Sequence, residues 1–157
     1  LLRTAEVLVK YIYMPQMQQA VARLRLLLAD IESKRQQLDS LVRQFRSQLR
    51  YVPRQVVYGR ASLDMALSAM SEIEDRLAAT EATLQRLEKV RSRVRQELEA
   101  LQLLAQVEEA RKQLSALRQR AQDADQVDEE VQAEIRQLEA FIAENSQRAG
   151  RAITSGE

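Results

Sequence analysis

Tyr51-Val52-Pro53-Arg54-Gln55-Val56-Val57-Tyr58-Gly59-Arg60 is the stretch whose reading decides the fold. It holds one of only two prolines and one of only three glycines in 157 residues. Punctuation that sparse concentrates the possible chain reversals here. On both sides run long segments whose apolar residues recur at alternating steps of three and four, the heptad seam of a coiled coil.

Upstream, the seam starts behind Pro15, a residue suited to a first helical turn because its missing N–H would have no partner there. It runs Met17, Ala20, Leu24, Leu27, Ile31, Leu38, Leu41 and Phe45, with Lys34 the one charged interruption. This predicts a helix over residues 15–50 and a basic connecting loop over 51–61. Downstream, Ser62 is a good N-cap and Asp64 is well placed against the helix dipole. Met70, Leu77, Leu84, Arg91 and Leu98 then alternate with Ala66, Ile73, Thr80, Leu87, Val94 and Leu101, which predicts a long helix over 62–122. Two such helices joined by a short connection fold back as an antiparallel hairpin. Setting Phe45 against Ala66 places Leu38 on Ile73, Leu27 on Leu84, Leu24 on Leu87 and Met17 on Val94. A shift of one heptad fits nearly as well.

The seam slips at 101–107, where the first helix has run out of residues to cover the second. It resumes as Val107, Ala110, Leu114, Leu117, Ala121, Ala124, Val131, Ile135, Leu138 and Ile142. Arg118 and Arg120 followed by Asp123, Asp125, Asp128, Glu129 and Glu130 is the charge order of one helix ending and another starting. Asp125 is the expected N-cap. A third, acidic helix over 126–147 then folds back, pairing Leu117 with Ile135 and Leu114 with Leu138, and residues 148–157 form a frayed tail. The alternative is one helix continuing to about Asn145, whose bare seam would need another chain. The expected fold is thus all-α: a long antiparallel coiled-coil hairpin, with a C-terminal helix covering the far half of the central one. Residues 1–14 are out of phase with the first seam. Val7, Leu8, Tyr11 and Ile12 give them a broad apolar face, expected to be a helix-packing surface rather than a membrane anchor, since only Arg3 and Lys10 supply basic charge.

The chain contains no His and no Cys. Imidazole acid–base chemistry, thiolate nucleophiles, disulfides and ordinary zinc sites are therefore excluded. The many helix-borne carboxylates read as a solvated face, and no EF-hand spacing is present. No enzyme activity, cofactor or metal is expected. No run reaches the length of a membrane span, and no signal peptide is visible. The start at Leu1-Leu2-Arg3, without Met, is that expected of a processed product or an excised piece. A cysteine-free chain suits either redox compartment, with the cytoplasm the first expectation.

One local feature points to a ligand. Between Asp39 and Asp64 there is no acidic residue, yet Arg43, Arg46, Arg50, Arg54 and Arg60 all fall there, with Tyr51 and Tyr58 among them. Arginines with neighbouring aromatics at an exposed tip suit phosphates, nucleic acid, anionic lipid or an acidic protein surface. The plainer reading is a solvated helix end, where cations are mildly favoured. A second basic run (Arg86, Lys89, Arg91, Arg93, Arg95) is spread around the helix and reads as flanking charge. Lys34, Thr80 and Arg91 in the seams read as polar residues that set register. The expected function is a structural or interaction protein binding protein partners, possibly itself. Nucleic-acid binding through the tip and peripheral membrane association are the alternatives.

Overall fold

A computed structural model of the chain describes residues 14–154 as three α-helices: α1 (Met14–Val57), α2 (Leu63–Asp123) and α3 (Glu129–Thr154). No strand occurs among the described residues. The architecture is all-α, two long helices and a third, in the hairpin-type arrangement the seams predict. Val7, Leu8, Tyr11 and Ile12 lie outside the described residues. The chain divides into two compact units, one made of Leu27–Ser92 and the other of the segments before and after it.

The unit Leu27–Ser92 is a two-helix hairpin. α1 does not stop at Arg50 but continues through Pro53 to Val57, so the connection is only residues 58–62 and not 51–61. A proline inside a helix removes one backbone hydrogen bond and crowds the preceding turn. Here the added turns bury Val52 and half-bury Val56, and they end in a closed cap. Gly59 takes a left-handed φ of 71°. Its N–H donates to Val56 O (3.0 Å) and that of Arg60 to Gln55 O (2.8 Å), the paired bonds of a Schellman ending. Ser62 then caps α2 as expected, its Oγ accepting from Met65 N–H at 3.2 Å.

The α2 seam of this unit matches its prediction residue by residue. Ala66 is buried, and Met70, Ile73, Leu77, Thr80, Leu84, Leu87 and Arg91 are all half-buried. Thr80 satisfies its hydroxyl on the carbonyl of Arg76 (2.8 Å), so a polar seam residue leaves no open donor. The α1 seam differs in one of its two lines. Ile31, Leu38 and Phe45 face inward as predicted by the Met17-based frame, and Val52, assigned to the loop, continues their line; the alternating line is Leu28, Arg35, Val42, Leu49 and Val56. Leu27 (38% exposed), Leu41 (39%) and Lys34 lie outside it. The charged interruption is therefore Arg35, not Lys34. The predicted register also moves. Arg46 meets Glu81 at 3.1 Å, where that register put Met65 opposite it. Glu81 lies 16 residues beyond Met65 along α2.

The other unit packs the start of α1, the second half of α2 and α3. Met17, Ala20, Leu101, Leu104 and Ala149 share one buried cluster, with Val21, Leu24, Leu103, Ala105 and Ile153 against it. Met17 thus belongs with Leu101 and Leu104, beyond the Val94 first assigned to it. The chain breaks between Asp123 and Glu129, which settles the choice between a break and one continuous helix. Asp128, not Asp125, is the cap: its Oδ1 accepts from Glu130 N–H at 3.0 Å and its carbonyl from Gln132 N–H at 3.1 Å. The inward line of α3 is Val131, Ile135, Leu138, Ile142, Asn145 and Ala149. Asn145 is 7% exposed and its side-chain amide donates to Phe141 O at 2.9 Å. The tail assigned to 148–157 is helix through Thr154, with Ala149 completely buried. Small residues here let three helices approach closely, which is why a stretch poor in large apolar residues still packs. Arg93 closes the end, donating to Ile153 O (3.1 Å) and Glu97 (2.7 Å), so it satisfies a carbonyl of the last turn of α3.

Two stability predictions follow from these two ends. Gly59→Ala meets no atom within 4 Å, so its cost is backbone strain alone, about 1–2 kcal/mol in urea denaturation. Ala149→Leu overfills a closed site and is expected to cost about 1–3 kcal/mol. The exposed control Ala143→Leu should stay within about 0.5 kcal/mol of wild type. Equal effects of the two leucines would return this segment to a frayed tail.

Candidate functional site

The arginines of the hairpin end are spaced by the helix itself. Arg43, Arg46, Arg50 and Arg54 follow one another at three, four and four residues and so recur along one side of α1. Their surroundings then separate them. Arg46 donates to Glu81 at 3.1 Å and is neutralised across the hairpin. An exposed pair of this kind contributes less than about 1 kcal/mol, but it does remove a free cation from the surface. Arg43 and Arg50 turn back along their own helix, each donating through Nε to the carbonyl four residues earlier at 3.4 Å.

Continuation of α1 past Pro53 brings the rest together. Tyr51, Arg54, Gln55 and Tyr58 recur at three, four and seven residues, one stripe of the last two turns. The left-handed turn at Gly59 folds Arg60 back beside them. These five side chains line an open cleft of about 230 Å³. Tyr51 is 52% exposed and Tyr58 73%. Among the described residues neither Arg54 nor Arg60 has an ion-pair partner. Of the seven residues predicted for this tip, four (Tyr51, Arg54, Tyr58 and Arg60) share the cleft, and Arg43, Arg46 and Arg50 do not line it.

The sequence reading missed two parts of the surface. Gln55 supplies an amide to the cleft. Val57, Leu63, Met65 and Leu67, all more than half exposed, cluster in sequence around the connection. Exposed apolar residues grouped in this way mark interaction surfaces more often than singly scattered ones do. Their signal was present in the chain, because none of the four fits either seam.

A second charged constellation lies in the body of the same hairpin. Arg35 grips the Glu32 carboxylate with both ends of its guanidinium, Nη2 to Oε1 at 2.6 Å and Nε to Oε2 at 3.1 Å, and reaches Asp39 at 3.4 Å. On α2, Arg91 pairs with Glu88 at 3.1 Å. The hydrogen bonds from Arg35 hold the Glu32 carboxyl below the ordinary glutamate value; the charges of Arg35 and Arg91 add to this, and desolvation opposes it. In the other unit, Arg118 and Glu139 join α2 to α3 at 2.7 Å. Among the described residues no group of three or more carboxylates is placed to hold a metal ion, and no helix is long and apolar enough to cross a membrane.

The geometry defines a helical protein with a Tyr/Arg cleft at the end of a two-helix hairpin and four exposed apolar residues around the connection in sequence. No known protein family matches the chain, and no curated protein or solved structure is detectably similar to it.

The Glu32 environment carries a pH prediction. A carboxyl whose folded value lies below its unfolded one adds stability that is complete above the ordinary glutamate range. That stability is lost as pH falls through the lowered folded value. The side-chain carbon resonance of Glu32 should titrate below the ordinary glutamate value. Arg35→Gln should bring its midpoint back up towards that value. A wild-type midpoint already at the ordinary value would remove the grip of Arg35 as a source of stability.

Proposed function

We propose that this chain is a non-enzymatic structural and interaction protein, a coiled-coil spacer, tether or assembly subunit that binds other proteins through helical surfaces. The observation that carries the reading is the hairpin of Leu27–Ser92. Its length is spent on a narrow seam, and its end presents two exposed tyrosines, two arginines without an ion-pair partner among the described residues, and four exposed apolar side chains. Tyrosine, arginine and methionine are the residue types enriched where proteins bind one another. The absence of His and Cys from the sequence leaves few groups for catalysis and agrees with such a role.

One observation favours a second reading. Tyr51 and Tyr58 share a cleft with Arg54 and Arg60, and stacked bases with phosphate contacts use the same residue types. Against it stand the exposed apolar residues around the connection, because Val57, Leu63, Met65 and Leu67 offer nothing to a phosphate backbone.

The two readings separate on one assay. With labelled oligothymidine and oligouridine at low salt, wild type is expected to bind no tighter than Arg50→Glu/Arg54→Glu/Arg60→Glu. Tight binding that falls steeply with salt and is lost in that variant would make the tip a nucleic-acid site. The spacer role has its own readout. The chain lacks cysteine, so Ser47→Cys and Ser71→Cys, both at exposed sites, accept spin labels without background. A rigid hairpin gives one narrow distance distribution, and a broad one would end the spacer reading.

A further inference from the structure

We infer that the tip cleft is a docking surface for a second copy of this chain, and that the part it receives is the acidic turn between α2 and α3. The inference rests on the assembly role proposed above and names its partner. It starts from how charge is distributed. Residues 40–63 contain five arginines and no acid, whereas residues 123–144 contain eight acids and the single Arg136. The net charge is only +1, so two copies do not repel one another overall.

The two patches also match in kind. Asp123, Asp125, Glu129 and Glu130 are exposed, and among the described residues none of them has an ion-pair partner. In the middle of them stands Val127, 83% exposed. At the other patch Val57, 81% exposed, adjoins Tyr58 and the unpaired Arg54 and Arg60. These two valines are the most exposed of the large apolar side chains described. Each patch therefore combines a bare apolar group with charge of one sign, and the signs are opposite. Contact would cover both valines while carboxylates meet guanidinium forks, a planar match that arginine makes better than lysine. The cleft gives the fit a shape, because a concave site lined by two tyrosines takes a protruding side chain rather than a flat lipid surface. The surfaces used by the two copies differ, so the contact is heterologous.

The test is sedimentation velocity on the full chain and its charge variants. At about 50 mM salt the weight-average sedimentation coefficient of wild type is expected to rise with protein concentration up to about 200 µM, and at about 500 mM salt the rise should disappear. Arg54→Glu/Arg60→Glu and Asp125→Lys/Glu129→Lys/Glu130→Lys should each remain monomeric at low salt. An equimolar mixture of the two variants should associate again, because each then meets a complementary patch. Circular dichroism checks whether both remain helical. Should the lysine variant fail to fold, Arg54→Gln/Arg60→Gln, which removes charge without reversing it, must weaken wild-type association at least about tenfold. A wild type that stays monomeric overturns the inference, as does association that survives charge reversal or a mixture that fails to recover. If the monomeric chain binds a different acidic protein through its tip, the assembly reading stands and self-docking falls. If it instead floats with phosphatidylserine vesicles and the tip variant does not, both fall.

Discussion

An apolar stripe running the length of a 61-residue helix is the constraint to which the rest of this molecule answers. α2 cannot leave Ala66 through Leu117 against water, and an isolated helix draws most of its stability from packing such a stripe rather than from propensity. A single partner helix can cover only a narrow band, which is why the seam residues of the hairpin unit are mostly half-buried. Where α1 and α3 both meet α2, Leu101 and Leu104 are enclosed together with Met17, Ala20 and Ala149, and burial stays high beyond them at Val107, Ala110 and Leu114. The slip in heptad phase near residue 101 follows from the same cause. A helix contacted on one side needs one stripe, and a helix contacted on two needs a wider face, so the apolar spacing must change where the cover changes.

How much of this can be read from the chain depends on whether the deciding signal is local. The α2 seam was legible residue by residue, polar members included, because its line has few competing choices. The second line of α1 was not. Leu26-Leu27-Leu28 and Leu41-Val42 offer adjacent apolar residues to either of two lines, and ending the helix at Arg50 hides Val56, which favours one of them. The error at Arg50 and the error in register are one error. Extending α1 by seven residues moves the partners of its start further along α2, and Met17 shares its cluster with Leu101 and Leu104 rather than with Val94. Pro53 misleads because its cost is a local property, whereas the burial of Val52 and the Gly59 cap that offset it depend on tertiary structure. The C-terminal segment misleads in the opposite way. Ala149 and Gly150 look like fraying residues, yet small side chains are what a crowded three-helix contact requires.

The candidate site was half legible for the same reason. Clustering of arginines between two distant acids is visible in sequence. Which of them stay free is not, since Glu81, which neutralises Arg46, lies 35 residues away along the chain. Tyr51, Arg54, Tyr58 and Arg60 meet only because α1 continues as a helix to Val57 and then reverses through a left-handed glycine. Had residues 51–61 formed the extended loop first expected, the tyrosines would not share a stripe.

Arg35 and Arg54 show why composition alone does not locate a binding surface in a protein of this kind. Both are arginines on α1, 19 residues apart, and both have an apolar neighbour in the seam. Arg35 occupies a seam position, and its charge is consumed by Glu32 and Asp39 on its own helix and opposed by Glu88 on the other. Arg54 is outside the seam, at an end where the facing chain has just begun and the nearest acid in sequence is Asp64. A hairpin makes this difference systematic. Along its body every cation has a full turn of the partner helix within reach, and acids there accumulate as pairing groups. At its end the partner is missing on one side, so cations and apolar residues alike are left without a covering surface. The end of a two-helix arm is thus the place where unpaired charge and unburied side chains collect together, which makes it the natural contact point of the arm.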